Sequence, residues 1–313
     1  MIRYSTRIGL ARVLAFACVP LLCLSAPAQA DLELWASGQI SAHFDGYTGE
    51  YLGDLFGTAH TYGFAFGPDG NVYVSDGGGA DRILRYNPKT LQLIDVFIAP
   101  GNGPVDAQRG LVFGPDGNLY VCGLASDNVV RYDGHTGQYL DVFATDGLDA
   151  PYGLRFGSNG DLYVSSAYSD SVLRYDGQTG QLVDTLTAPG SLDGPSDLLF
   201  GPDGLLYVSS YLTGSVVRFD PVTGDFVDAF VQSGSGGLNW PVGLAFGPDG
   251  NLYVADERRV QNEILRYDGV TGVYLGVFAS GGDHPTFLAF VPEPGSLLLL
   301  AGGVLLLGRK RRA

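Results

Sequence analysis

Few side chains in this chain have the chemistry for catalysis or metal binding. There are four histidines, His43, His60, His135 and His284, and none stands two residues from a glutamate on either side. The paired spacing that commonly builds a metal or acid–base site is therefore missing. Of three cysteines, Cys18 and Cys23 lie in an apolar N-terminal run, which leaves Cys122. No histidine or other base stands near it to make it a nucleophile, and a small buried side chain is its plainer reading. Two carboxylates draw notice. Asp197 stands where matching segments of the chain carry glycine, and Glu257 opens a polar loop. Asp197 suits a metal or substrate carboxylate, although an isolated Asp of this kind commonly bonds a neighbouring loop amide. Trp240, with Tyr152, Tyr168 and Tyr211, offers flat apolar faces on which a sugar ring or peptide can stack; aromatic cover over packed elements is the commoner use. No glycine-rich phosphate loop leads into a helical pattern, so neither nucleotide nor other cofactor is expected.

What positions these groups is a repeat. FGPDGNVYVSD at Phe66–Asp76 returns from Phe113, Phe156, Phe200 and Phe246, at steps of 47, 43, 44 and 46 residues. Each copy reads as strand, turn, strand: Pro presets φ, Asp or Asn bonds back to the backbone, and Gly accepts φ > 0. A second half follows, as in VVRYDGHTGQYLDVF, with two further alternating strands around a polar turn. Four short antiparallel strands in about 40–45 residues make one blade of a β-propeller. No helical period appears, which removes the helical solenoids. LELWASGQISAHFDGYTGEYLGDLF (Leu32–Phe56) lacks a first strand, and PTFLAF (Pro285–Phe290) supplies only a first strand. Together they predict a sixth blade shared between the chain ends, so the expected fold is all-β, a six-bladed ring with no open sheet edge at the join.

In such a ring the GPDG and DGxTG turns share one face, and their near-uniformity reads as punctuation. The other face carries loops that differ in every copy: GGGADR, LASDN, AYSDS, YLTGS and ERRVQNE. Specificity belongs there. At the mouth of the channel one position reads Tyr62, Arg109, Tyr152, Ser196, Val242 and Thr286; the next reads Gly63, Gly110, Gly153, Asp197, Gly243 and Phe287. Glycine suits close approach where six strands converge. The candidate binding residues on this face are thus Tyr62, Arg109, Tyr152, Asp197, Tyr168, Tyr211, Trp240, Glu257 and His284. The recurring Arg85, Arg131, Arg174, Arg218 and Arg266, and Asp95, Asp141, Asp184 and Asp228, read instead as cross-strand pairs of the scaffold.

The chain ends have their own logic. Residues 1–30, with Arg3, Arg7 and Arg12 before an apolar core and Ala28-Gln29-Ala30 at its end, have the order of a secretory signal peptide. Leu22 before Cys23 is too large for a lipoprotein signal. Seven of the 18 basic residues sit in the two terminal segments, leaving 11 against 33 acidic residues, a formal −22. Phosphate backbones are repelled by such a charge, and nucleic acid is not an expected partner. The tail, residues 291–313, runs Pro292-Glu293-Pro294, a short apolar stretch, then Arg309-Lys310-Arg311-Arg312. Fourteen helical residues span about 21 Å, short of a hydrocarbon core of about 30 Å. The basic end suits retention on the cytoplasmic side.

These features carry two resemblances. Gly-Leu-x-Phe-Gly-Pro-Asp-Gly-Asn-Leu-Tyr-Val with a following Leu/Val-Arg-Tyr-Asp strand resembles the NHL-type and streptogramin-lyase-like propellers over residues 31–290. Those propellers include lyases, lactonases and binding platforms, so the likeness speaks to fold. The lyases need a His/Glu set with a divalent ion, which this chain does not match. A lactonase-type site would have to be assembled from Asp197, Glu257 and Asp106. The tail resembles the PEP-CTERM sorting signal of Gram-negative bacteria, which implies transient insertion in the inner membrane and an exosortase-type processing enzyme; a plain C-terminal anchor is the alternative. The resulting expectation is an exported, non-catalytic propeller at the cell surface or in the matrix, binding an extracellular polysaccharide or a surface protein. A metal-dependent lyase or lactonase is the alternative.

Overall fold

The computed structural model describes residues 32–57, 60–77, 79, 81–257 and 262–292. The expected signal peptide and the tail from Glu293 onward lie outside the described residues. The chain opens with β1 (Leu32–Ala36), β2 (Ala42–Asp45) and β3 (Tyr51–Asp54). The first complete blade is β4 (Thr61–Phe66), β5 (Val72–Asp76), β6 (Arg82–Tyr86) and β7 (Leu93–Ile98). The second is β8 (Gln108–Phe113), β9 (Leu119–Gly123), β10 (Asn128–Tyr132) and β11 (Tyr139–Ala144). The third is β12 (Pro151–Phe156), β13 (Leu162–Ser166), β14 (Ser171–Tyr175) and β15 (Leu182–Thr185). The fourth is β16 (Pro195–Phe200), β17 (Leu206–Ser210), β18 (Ser215–Phe219) and β19 (Phe226–Val231). The fifth is β20 (Pro241–Phe246), β21 (Leu252–Asp256), β22 (Glu263–Tyr267) and β23 (Tyr274–Ser280), and β24 (Leu288–Pro292) ends the described chain.

Six four-stranded antiparallel sheets result, and the sixth has the order β24-β1-β2-β3. The ring is closed by pairing the last strand to the first, with Leu32 opposite Pro292 and Ala36 opposite Leu288. The strand runs two residues beyond Phe290 because its partner β1 offers ladder positions as far as Leu32. Pro292 sits at the last of them, where a missing N–H is tolerated. Among the described residues no helix is long and apolar enough to cross a membrane.

The repeat residues explain the blade. In each Pro-Asp-Gly turn the glycine takes a positive φ, +78° at Gly70 and +80° at Gly117. The turn Asp accepts the hydroxyl of the Tyr four residues on, at 3.0 Å for Asp69–Tyr73, Asp116–Tyr120, Asp203–Tyr207 and Asp249–Tyr253. That Tyr ring is buried and meets two phenylalanines edge-on, one from its own outer strand and one from the next blade. Tyr73 meets Phe97 at 4.7 Å and Phe113 at 4.9 Å; Tyr253 meets Phe278 at 4.7 Å and Phe290 at 4.8 Å. The leading Phe of each repeat is therefore the bolt into the preceding blade, and Phe290 drives the bolt that shuts the ring.

The expected scaffold pairs form. Arg85, Arg131, Arg174 and Arg218 lie opposite Asp95, Asp141, Asp184 and Asp228. Each Nε donates to Oδ1 at 3.1, 3.0, 3.2 and 2.8 Å respectively. The fifth, Arg266, faces Gly276 and has no such partner across the ladder.

The 1–2 and 3–4 turns gather on one face of the ring, the turn face. The 2–3 loops and the connections between blades gather on the other, the loop face.

Candidate functional site

The inner strands converge on the channel so tightly that a Cβ on Gly63, Gly110 or Gly153 would stand 2.7 Å from a carbonyl oxygen of the next blade. Glycine in that slot is a steric requirement of convergence. The two departures from it fill the channel. Phe287, buried, reaches across from the shared blade and stacks on Tyr152 of the third, with centroids 5.9 Å apart and planes at 14°. Asp197 is fully buried; its Oδ1 accepts the amide of Leu198 at 2.9 Å and its Oδ2 that of Leu244, in the next blade, at 3.1 Å. Arg155 lies 3.3 Å from the same carboxylate. Burial pushes the Asp197 carboxyl up, against the pull of Arg155 and the two amides.

Above this floor, on the loop face, lies a cup of about 360 Å³. Tyr62, Arg109, Tyr152, Tyr168, Tyr211 and Glu257 line it, together with Leu124, Ala167, Leu212 and Val242. The Arg109 guanidinium lies 3.9 Å from the Tyr62 ring centroid and 5.8 Å from that of Tyr152. Its Nη1 donates to the carbonyls of Gln108 (3.1 Å) and Ala107 (3.3 Å), and no carboxylate among the described residues pairs with it. Burial raises the Tyr152 phenol well above its ordinary range, and the Glu257 carboxylate adds to the effect. Tyr168 stands 75 % exposed at the rim.

Of the nine candidates, six line the cup. Trp240 stands behind it, stacked on Tyr211 at 5.8 Å and 17°, so it braces a wall. Asp197 lies beneath, tied into the floor. His284 lies outside the lining, its Nδ1 2.8 Å from Asp283 Oδ1. Asp106 is exposed in a blade connection and also outside the lining, so the three acids of a lactonase-type site do not converge. Among the described residues no three His, Cys, Asp or Glu side chains are grouped to hold a metal ion. Cys122 is buried, and burial pushes its thiol far up. Leu124 and Ala167 escaped the sequence reading, yet a signal was present. They hold the same place as Tyr211 and Glu257, the residue directly after each second strand.

A second device on this face was hidden in the variable loops. Gly214 stands before the third strand of the fourth blade; in the other four complete blades that residue is an Asp or Asn with a left-handed φ: Asp81 43°, Asp127 49°, Asp170 50° and Asn262 51°. Its side-chain oxygen accepts the amide of the residue that enters the next blade: Ala107 (3.1 Å), Ala150 (2.9 Å), Gly194 (2.8 Å) and His284 (3.2 Å). These latches hold blade to blade at the rim and keep the cup in shape.

Chemically, the cup offers flat aromatic surface, one guanidinium with donors to spare, and one carboxylate. Residues 290–312 match the PEP-CTERM protein-sorting motif. No curated protein matches the chain. Among solved structures, the fold is similar to a protein of unknown function from Bacteroides caccae, at 15% identity and TM-score 0.64, covering 84% of this chain and all of that one. It is also similar to a chain of a nidogen/laminin complex, at 17% identity and TM-score 0.65, covering 83% and 98%. A third likeness is to virginiamycin B lyase from Staphylococcus aureus, at 20% identity and TM-score 0.56, covering 74% and 77%. These likenesses show the propeller fold. The sorting motif implies export.

Proposed function

We propose that this chain is an exported, non-catalytic binding propeller, delivered to the cell surface or extracellular matrix by an exosortase-type enzyme that processes its tail. Its cup holds a neutral sugar residue of an extracellular polysaccharide. The observation that carries this reading is the presence in one aromatic cup of a cation with no carboxylate partner among the described residues, Arg109, and of a carboxylate, Glu257. A ligand that both donates and accepts while carrying no net charge gains from both without leaving a charge unbalanced, and a pyranose does so with its hydroxyls. Its apolar C–H face lies on tyrosine, as amphipathic aromatic surfaces favour. The latches and the stacked Trp240 keep these groups in place before the ligand arrives, which limits the entropy lost on binding.

Calorimetry with a panel of neutral hexose oligosaccharides tests the reading. Tyr168→Ala and Arg109→Ala are each expected to weaken binding about tenfold, near 1.4 kcal/mol, with melting unchanged. Absence of binding across the panel, or binding untouched by both substitutions, overturns it.

A further inference from the structure

The sorting motif occupies a place the ring has already defined. Phe290-Val291-Pro292-Glu293-Pro294 falls on Phe-Gly-Pro-Asp-Gly in four of the other inner strands and on Phe-Gly-Ser-Asn-Gly in the fifth. In those five the glycine takes φ between +78° and +87° and the chain turns back. Proline is locked near −65°, so Pro294 cannot make that turn. In the four Asp turns the carboxylate receives the buried Tyr, and in the third blade the Asn159 amide donates to the Tyr163 hydroxyl. In the shared blade Trp35 takes the Tyr position, opposite Ala289 as Tyr73 is opposite Ala65. Its Nε1–H goes to Glu33 Oε2 at 2.6 Å, with His43 Nδ1 3.0 Å from the same oxygen. The blade thus carries its carboxylate inside β1 and requires none from position 293.

The exit point follows. β24 is the innermost strand of its sheet and ends on the turn face, opposite the cup. Three further strands at about 4.8 Å each carry the turn rim about 14 Å outward from it. From Pro292 to Gly295, where the apolar run begins, the chain reaches about 10 Å at most. A headgroup layer of about 5–7 Å uses up most of that reach. With so short a tether near the centre of the face, tilting the ring drives its rim into the bilayer.

We propose that, while the tail is inserted, the propeller stands with its turn face against the inner-membrane surface and its cup directed away from it. This rests on the sorting reading above. The turn face carries Asp45, Asp133, Asp176, Asp220 and Asp268 at exposed turns. Anionic headgroups within about 8–10 Å repel such a face, so the tail alone holds it there and a cut releases it. The cup is open to ligand before processing as well as after.

The test uses the chain from Asp31 to Ala313 in phosphatidylethanolamine–phosphatidylglycerol vesicles whose headgroups carry a quencher. A fluorophore is placed through Val270→Cys, 84 % exposed on a 3–4 turn, or through Tyr168→Cys at the cup rim. Cys122 is buried and stays unlabelled. Quenching several-fold stronger at position 270 than at 168 is the expected result. Equal or reversed quenching in protein that floats with the vesicles overturns the orientation alone. Failure to float overturns the membrane-held reading and the orientation with it.

Discussion

Asp133 gathers the amides of His135 and Thr136 and the Thr136 hydroxyl on one carboxylate oxygen. The same arrangement recurs at Asp45, Asp176 and Asp268, and Asp220 accepts two amides in the matching turn. Hydrogen bonds from the threonine three residues on hold each of these carboxyls below its ordinary range. A carboxyl lowered in the fold stabilises it above the unfolded value, and that contribution is lost as pH falls through the folded value. Asp197 runs the other way, since burial raises it, but it is one group against five. In high salt, where self-repulsion is screened, the melting temperature is therefore expected to fall as pH drops below about 4. A flat or rising melting temperature over that range, measured by circular dichroism, contradicts this account of the turns.

At the scale of elements, the latches decide how firmly neighbouring blades meet. Asp127→Ala leaves the Ala150 amide without its acceptor and is expected to cost about 1–2 kcal/mol, a drop of a few degrees in thermal melting. A variant that melts like the parent would show that the latch does not hold the rim. These residues were legible in principle, because each immediately precedes a third strand. They stayed hidden because the loop residues around them change in every copy. The blades themselves were plain, since the Phe, the turn and the Tyr must recur wherever one sheet bolts to the next. The pairing of Arg with Asp was plain for the same reason. The cup was half legible. Its tyrosines and its two charges announce themselves by type, whereas Leu124 and Ala167 line it only by position. Trp240 shows the converse, since residue type cannot tell a lining ring from the ring that braces it.

For the whole molecule, closure and sorting meet at one place. Leu32 and Pro292 are opposite one another, so the first and last described strands pair at the join of the ring. Reading the fragments LELW and PTFLAF as complementary predicted the shared blade, while the end of the ring at 292 depended on how far β1 offers partners. Phe287, Leu288 and Val291 are buried. At about 1.5–3 kcal/mol for each large apolar side chain, losing this segment removes a large share of a typical stability of about 5–15 kcal/mol. Processing must therefore spare β24 and fall beyond it. Mass spectrometry of the intact protein collected outside the cell tests this most directly. The expected product is a chain beginning at Asp31 and ending within Pro292–Pro294. A chain that still ends at Ala313, or one cut before Leu288 yet folded, would contradict it.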